Sequence, residues 1–350
     1  MKEIAEIFEK YRREGLFTHG YAAFGSLASS RPSVVHQELP DGRDVFDLAS
    51  LTKALATTVL AFKLKRAGKL AFDQSLEQWL SEEKVADLAP GLRQITVMSL
   101  LRHDSGLPAW RNFWINHLGV ESPDRTASLS RGRHRMVEVL NRSALPLNPA
   151  QGQVYSDVGF ILLGLALERA TGENLLKSFE GILPPGLDPC FGPSLPSTAR
   201  AVPTADCKLR GKLLMGEVHD ENCASIGGVA GHAGLFGTGD GVAAFLYHLA
   251  QSEAGKLLIE ENARARILPI GNPPNEALIG WRQGADSSSF PFGNGCAIGH
   301  MGFTGVAFWV CPESGHYAIL LTNRVISGRL KPGIAAMRRE VFTIFETLRR

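Results

Sequence analysis

Cysteine is scarce in this sequence and never occurs in close pairs. The 350 residues contain five cysteines, at positions 190, 207, 223, 296 and 311, and none forms a Cys-x-x-Cys motif. An odd number of widely spaced cysteines predicts neither a disulfide framework nor a zinc site. We therefore expect these side chains to be small buried groups and the protein to need no metal or other cofactor.

Long apolar runs and an excess of one charge are also missing. No stretch approaches the roughly 20 apolar residues of a membrane-spanning helix, and residues 1–15 mix apolar and charged side chains as an amphipathic helix does, unlike a signal peptide. The net charge is only +2, with acids and bases interspersed, which argues against nucleic acid as a partner. We expect no membrane span and a cytoplasmic location, or a periplasmic one if a leader has been trimmed.

Three common catalytic signatures are absent as well. The sequence contains no Gly-x-Ser-x-Gly, no His-Glu-x-x-His and no Gly-x-x-x-x-Gly-Lys motif. An α/β-hydrolase, a zinc protease and a P-loop enzyme would each carry one of them. These three classes are therefore set aside.

The patterns that are present predict two lobes. A chain of 350 residues, 44% of them hydrophobic, can bury a large core but exceeds what one compact core usually organises. Alternating patterns predict strands near both chain ends, and helical spacing predicts helices elsewhere. The predicted strands cover residues 20–28, 33–38, 278–282, 305–310 and 317–323; the predicted helices cover 1–15, 52–68, 97–102, 133–141, 157–171 and 334–348.

This order of elements predicts an α+β fold. An antiparallel sheet is made from both chain ends and flanked by the N- and C-terminal helices, with a mostly helical lobe inserted between its halves. We assign residues 1–55 and 225–350 to the sheet domain and residues 56–224 to the inserted helical domain. The active site is expected in the cleft between them.

Ser50 and Lys53 form the first candidate catalytic pair. Positions i and i+3 share a helix face, so the hydroxyl and the amine can come within hydrogen-bond reach. Ser50 lies where a predicted strand runs into an apolar helix, and a helix start favours a developing alkoxide. The apolar neighbours of Lys53 fit the burial that an amine needs if it is to act as a base.

The same spacing occurs a second time, at Ser81 and Lys84. There it lies within Ser-Glu-Glu-Lys, which is typical of a solvated stretch. The spacing alone therefore does not identify a catalytic pair, and Ser50 is preferred for its context.

Tyr155-Ser156-Asp157 comes immediately before a predicted helix. Ser156 or Asp157 can serve simply as the N-cap of that helix. Alternatively, the Tyr155 phenol lies beside Ser50 and Lys53 as a proton shuttle, and Asp157 holds the lysine or a substrate amide.

His300-Met301-Gly302, followed by Phe303, precedes the most apolar strand. A strand edge here could pair with an extended substrate and supply a backbone N–H to an oxyanion hole. His232-Ala233-Gly234 repeats the pattern inside a glycine-rich loop, where turn geometry or a cleft wall explains it.

A triad of His103, Asp104 and Ser105 is a further alternative for the catalytic centre. The three residues are consecutive and followed by Gly106, just after a predicted helix. A turn at the end of that helix explains them more simply.

The ordered set of motifs resembles the serine β-lactamase and penicillin-binding protein superfamily, in particular its class C-like branch, which also holds esterases and D-amino-acid peptidases. The resemblance covers almost the whole chain and includes the segments 100–107, 227–236 and 321–324. It implies that Ser50 is the acylated nucleophile, Lys53 its base and Tyr155 the relay to the leaving group. It also implies that His300 replaces the cation of the third motif.

The resemblance further implies an oxyanion hole made by the backbone N–H groups of Ser50 and Phe303, with Asp157 and Gly302 in supporting or substrate-binding positions. Two departures from the family pattern matter. Asp157 stands where Asn is more common, and a carboxylate there would favour the charged lysine, so the base stays open between Lys53 and Tyr155. His300 stands where lactamases commonly carry Lys, so recognition of a substrate carboxylate would depend on pH.

The sequence thus predicts a metal-free serine hydrolase that works through an acyl-enzyme on an amide or ester. The leading substrate class is a D-amino-acid or peptidoglycan-derived peptide, with β-lactams among the candidate ligands. A carboxylesterase of the same fold is the nearest alternative. A catalytically silent module that binds peptidoglycan fragments or β-lactams is the alternative of another class.

Overall fold

The structure is a computed structural model that describes residues 2–37, 44–80, 90–116, 147–148, 152–184, 187–266, 277–284 and 297–350. The predicted helix at 133–141 and the second Ser-x-x-Lys motif, at 81–84, lie outside these residues.

The helices and strands follow the chain in three groups. The first group is α1 (Lys2–Arg13), β1 (Gly20–Ser26), β2 (Val34–Gln37), β3 (Asp44–Asp47), a π-helical turn (Lys53–Thr57) and α2 (Thr58–Arg66). The second is α3 (Leu76–Leu80), α4 (Pro90–Arg93), α5 (Val97–Leu101), α6 (Asp157–Thr171), α7 (Leu175–Glu180), β4 (Cys190–Phe191), β5 (Arg200–Ala201), β6 (Pro203–Cys207), β7 (Lys212–Met215) and α8 (Glu221–Ser225). The third is β8 (Leu235–Gly237), α9 (Gly239–Gln251), α10 (Glu253–Arg266), β9 (Arg282–Gln283), β10 (Ile298–Met301), β11 (Ala307–Cys311), β12 (His316–Thr322) and α11 (Ile334–Arg349).

The main sheet joins the two ends of the chain. Its strand order among the described residues is β2-β1-β12-β11-β10-β9, with antiparallel neighbours throughout. Alternate side chains of β1 bury on opposite faces: Ala22 and Phe24 pack with Phe8 of α1 and Phe342 of α11, whereas Tyr21 packs into the larger core. The predicted α+β class, with an antiparallel sheet from both chain ends flanked by the terminal helices, is confirmed.

A smaller sheet lies across the predicted domain border. Its order is β4-β8-β3-β5, so it combines two strands from residues 56–224 with two from the predicted sheet domain. The inserted region also contains the β6–β7 hairpin. The domain bounds stay a prediction, and the insert carries more strand than its sequence indicates.

Some predicted strand bounds shift. The strand predicted at 278–282 is reduced to β9, which begins at Arg282, because Ala277 and Arg282 form a bridge around a turn at Gly280. The stretch 183–203, which lies outside the predicted strands and helices, contains β4 and β5. Strands of two residues are too short to show an alternating pattern.

Within the part of the chain that the structure describes, we find no helix with the length and apolar character needed to cross a membrane.

Candidate active site

The Ser50 hydroxyl lies where β3 turns into a helix. Ala49, immediately before it, has a φ of +46°, in the left-handed region that residues other than glycine seldom occupy. The following amides open the helix: Leu51 N donates to Leu48 O at 2.9 Å, and Lys53 N to Ser50 O at 3.1 Å. Ser50 is therefore in the first turn, where the helix dipole favours negative charge on its oxygen.

Lys53 is completely buried and its ammonium makes three contacts. Nζ donates to Ser50 Oγ at 2.9 Å and to His232 O at 3.2 Å, and it lies 2.6 Å from Asp157 Oδ1. The Tyr155 ring is also close, with its centroid 4.9 Å from Nζ. The structure thus brings together the first two predicted motifs around one lysine.

The protonation of Lys53 follows from opposing effects. Burial by itself lowers the pKa of Lys53, but the Asp157 carboxylate and the Tyr155 oxygen, through charge and hydrogen bonding, outweigh burial and raise it to about 12. Lys53 is therefore an ammonium at neutral pH, and it donates a hydrogen bond to Ser50. In this state it has no lone pair with which to take the serine proton.

The Tyr155-Ser156-Asp157 segment is fixed by backbone and side-chain hydrogen bonds. Ser156 is the N-cap of α6: its hydroxyl accepts from Gly159 N at 3.0 Å and donates to Pro108 O at 2.7 Å. Asp157 is the first residue of the helix and reaches Lys53 instead. The capping role and the contact with Lys53 therefore coexist, on neighbouring residues.

His103 fixes the Tyr155-Ser156-Asp157 segment through a hydrogen bond to its backbone, a role that the sequence does not reveal. Its Nδ1 accepts a hydrogen bond from Ser156 N at 2.9 Å, and the centroid of its ring lies 4.7 Å from the centroid of the Tyr155 ring. Burial, with the charges of Lys53 and Arg282, lowers the pKa of His103 well below its usual value, so the ring is neutral and can accept. This use of Nδ1 does not fit a triad with Ser105.

His300 does not provide the cation that the sequence suggests. It lies on β10 with 1% of its surface exposed, and its Nδ1 is 2.7 Å from Met301 O. Burial first, and then the charges of Lys53 and Arg282, lower the pKa of His300 well below its usual value. The predicted histidinium near neutrality is therefore wrong: the ring is neutral, because it is enclosed beside an existing ammonium.

Phe303 lies in the turn after β10, close to the turn that carries Ser50. Gly302 permits this approach, since a Cβ there would collide with the Val306 side chain and lie 3.0 Å from Leu48 O. Within the described part of the chain, neither Ser50 N nor Phe303 N donates a hydrogen bond. Both residues line the same cleft, so both amides are available for an oxyanion.

The second His-x-Gly pattern forms a wall of the site. The backbone carbonyl of His232 accepts a hydrogen bond from Lys53 Nζ, and His232 Nε2 lies 2.8 Å from Asp220 Oδ1. Burial would raise the pKa of Asp220, but His232 and the N–H of Cys223 hold it well below its usual range. Asp220 is thus a carboxylate beside the cleft.

The cleft has a volume of about 510 Å³. Its mouth is partly apolar, with Trp110 42%, Phe303 47% and Leu330 95% exposed. Polar and charged side chains also line it, and among them Arg282 extends over the Tyr155 ring, 5.4 Å from the centroid. The lining is Ala49, Ser50, Trp110, Tyr155, Asp157, Val218, His219, Asp220, Glu221, His232, Ala233, Arg282, Met301, Phe303, Arg329 and Leu330.

Sequence reasoning considered His103 only as a triad member and missed its hydrogen bond to Ser156 N, and it missed Asp220 and Arg282 altogether. His103 lies in a segment that the family resemblance marks, but nothing in the sequence points to Asp220 or Arg282. In the described ranges we find no group of three or more His, Cys, Asp or Glu side chains arranged to hold a metal ion.

The family model described as Beta-lactamase matches residues 17–341. The chain belongs to the beta-lactamase family. It is 32% identical over 310 residues to the N-acetylmuramyl-L-alanine amidase of Bacillus subtilis (strain 168), covering 81% of this chain and 68% of that protein. It is 28% identical over 308 residues to an Escherichia coli (strain K12) protein named provisionally as a D-alanyl-D-alanine carboxypeptidase, covering 80% of this chain and 69% of that protein.

A solved member of the beta-lactamase family has the same fold. The class C beta lactamase of Rhodobacter sphaeroides matches with a TM-score of 0.67 at 16% identity, covering 99% of each chain. The family assignment establishes the general chemistry. This beta-lactamase-family protein is a serine hydrolase that acts on amide or ester bonds in small-molecule or peptide substrates.

Proposed function

We propose that the protein hydrolyses an amide bond in a peptidoglycan-derived peptide, with Ser50 as the acylated nucleophile. The hydrogen bond of 2.9 Å between Lys53 Nζ and Ser50 Oγ carries this proposal. It lies in a cleft that also contains Tyr155 and Phe303. A nucleophile, a proton carrier and an oxyanion donor thus meet at one point.

Tyr155 is the general base in this mechanism. Because Lys53 already holds its proton, the hydrogen of Ser50 passes to the oxygen of Tyr155, which reacts in its phenolate form and becomes a phenol, as Ser50 Oγ attacks the substrate carbonyl. The Lys53 ammonium lies beside both groups and stabilises the negative charge during the transfer. The N–H groups of Ser50 and Phe303 bind the carbonyl oxygen of the tetrahedral intermediate.

The tetrahedral intermediate then collapses to an acyl-enzyme, which water hydrolyses in a second step. The bond between the carbonyl carbon and the leaving nitrogen breaks, and Tyr155 returns the proton to that nitrogen, leaving an ester on Ser50. Water next attacks the ester, gives a proton to Tyr155, and releases the acid product as Ser50 recovers its hydrogen. Each step returns the site to its starting protonation.

Arg282 is the cation proposed for a substrate carboxylate, in place of His300. Its guanidinium lies over the Tyr155 ring and lines the cleft, whereas the His300 ring is buried and neutral. The names of the two relatives, an amidase and a carboxypeptidase, support a peptide of cell-wall origin as substrate.

Trapping the acyl-enzyme tests this function. The protein is mixed separately with an N-acetylmuramyl-L-alanyl peptide, a peptide ending in D-alanyl-D-alanine, benzylpenicillin and p-nitrophenyl acetate, quenched in acid and digested. Mass spectrometry should find the acyl group on the peptide that contains Ser50, and chromatography should find cleaved amide product. Turnover of the ester alone would favour a carboxylesterase, and binding of all four compounds without an adduct would favour a silent module.

Asp157→Asn separates the two candidate bases. Burial lowers the pKa of Lys53 and the Asp157 carboxylate raises it. Without this carboxylate, the pKa of Lys53 therefore falls below its value of about 12. We expect the activity of the variant on p-nitrophenyl acetate to decline as pH rises from 7 to 10, by about tenfold per pH unit above the new pKa, because the ammonium is lost. The wild-type protein should not lose its ammonium over this range.

Asp104→Asn is the matched control, since Asp104 pairs with Arg102 at 3.0 Å and does not line the cleft. It should keep the wild-type pH profile. If Asp157→Asn instead gains activity over the wild type as pH rises, neutral Lys53 is the base and the role assigned to Tyr155 is wrong.

A further inference from the structure

Asp47, the last residue of β3, is a buried carboxylate with two backbone partners. It is 2% exposed. Its Oδ1 accepts from Ala49 N at 2.8 Å, and its Oδ2 accepts from His219 N at 2.7 Å. One side chain thus links two segments that are distant in the chain and adjacent to the cleft.

The first link bears on the nucleophile. Ala49 has the positive φ of the Ser50 turn, a conformation that costs about 1 kcal/mol or more unless its surroundings enforce it. The hydrogen bond from Ala49 N to the carboxylate stabilises this conformation. It therefore sets the direction in which the next residue, Ser50, presents its hydroxyl and its N–H.

The second link bears on the opposite wall. His219 stacks on Phe303, with ring centroids 5.6 Å apart and an interplanar angle of 23°. In addition, the Thr304 hydroxyl donates to the backbone carbonyl of Asp47 at 2.7 Å. Asp47 consequently contacts both the turn that carries Ser50 and the groups that place Phe303.

We propose that Asp47 is a positioning residue for acylation. Its ionised carboxylate holds the turn that carries Ser50 and the stacked side chains of His219 and Phe303 in the relative positions that acylation requires. The proposal rests on the proposed role of Ser50. A carboxylate suits the task because it accepts at both oxygens, whereas an amide or a protonated carboxyl presents a donor at one of them. A displacement of about 1 Å at such a site can cost on the order of 100-fold in rate.

Protonation of Asp47 should therefore lower activity. Burial raises the pKa of Asp47 to about 6; the N–H groups of His219 and Ala49 and the charge of Arg210 oppose burial, and the charge of Asp220 adds to it. The folded protein loses the ionised form as pH falls through this value. We expect kcat for p-nitrophenyl acetate to decline below about pH 6 in step with that proton.

Asp47→Asn tests the assignment, with Asp44→Asn as the matched control. Asp44 lies on the same strand and pairs with Arg200, away from the cleft. We expect Asp47→Asn to lower kcat by about 10- to 100-fold, to change KM by less than about threefold, and to lose the decline near pH 6. Asp44→Asn should keep the wild-type kcat and the wild-type pH profile.

If Asp47→Asn matches Asp44→Asn in kcat and in pH profile, Asp47 has no positioning role. If Asp47→Asn does not fold, the temperature dependence of the wild-type pH profile tests the proposal instead. A carboxylate pKa near 6 scarcely moves with temperature, whereas an imidazole pKa falls as temperature rises, and a moving midpoint would overturn the proposal. These outcomes are distinct from failure of the proposed function, in which the wild-type Ser50 peptide carries no acyl group.

Discussion

Ser50→Ala is expected to lower kcat/KM for p-nitrophenyl acetate by about 10⁴-fold or more and to abolish the acyl adduct. Loss of a nucleophile removes the covalent route entirely, and the residual rate comes only from binding and the oxyanion hole. The substitution deletes one oxygen at the start of a helix, so the melting temperature should change little. Steady-state kinetics, intact mass and thermal unfolding measure the three effects.

Ser81→Ala is the control, because Ser81 begins the other Ser-x-x-Lys sequence of the chain. It should retain the adduct and the activity of the wild-type protein. Equal activity of Ser50→Ala and Ser81→Ala would contradict the assignment of the nucleophile.

Lys53→Met is expected to lower kcat/KM by about 10³-fold, because it removes the ammonium that contacts both Ser50 and Tyr155. It should also destabilise the fold. Methionine keeps most of the length of the buried side chain but leaves the Asp157 carboxylate without its partner at 2.6 Å. Breaking a buried ion pair costs about 3–5 kcal/mol, and we expect the lower end of that range because the Asp157 side chain is 21% exposed.

Adding Asp157→Asn to Lys53→Met separates the two effects. The double variant carries no unpaired carboxylate at this position, so its free energy of unfolding should regain most of what Lys53→Met loses relative to the wild-type protein. Its kcat/KM should stay about 10³-fold below that of the wild-type protein. Urea unfolding and ester hydrolysis measure these quantities. Recovery of activity in the double variant would show that Lys53 acts only by neutralising Asp157.

The proximity of Ser50 and Lys53 could be predicted from the sequence because it depends on local spacing. Ser50 and Lys53 are three residues apart at a helix start, and that separation alone brings a hydroxyl near an amine. Ser156 as an N-cap is local in the same way. The π-helical turn at Lys53–Thr57 was not predicted, since such turns depend on tertiary contacts more than on residue preference.

The third motif shows where sequence reasoning stops. Its position at the end of β10 and the exposure of Phe303 are consistent with the predicted oxyanion turn. The charge of His300 is not as predicted, because Lys53 and Arg282 lie near it only in the folded chain. Arg282 itself comes from a strand of two residues that carries no motif.

The sequence by itself determined the α+β class, the family and which residues are candidates for acyl chemistry, since these depend on residue type, spacing and order. Only the tertiary structure decided the protonation of that chemistry. Lys53 is charged because α6 brings Asp157 to it, and His300 is neutral because it is buried beside that charge. Asp47 likewise reaches His219 across 172 positions of the chain. A pKa reflects burial and neighbouring charges in space, and neither is encoded in local order.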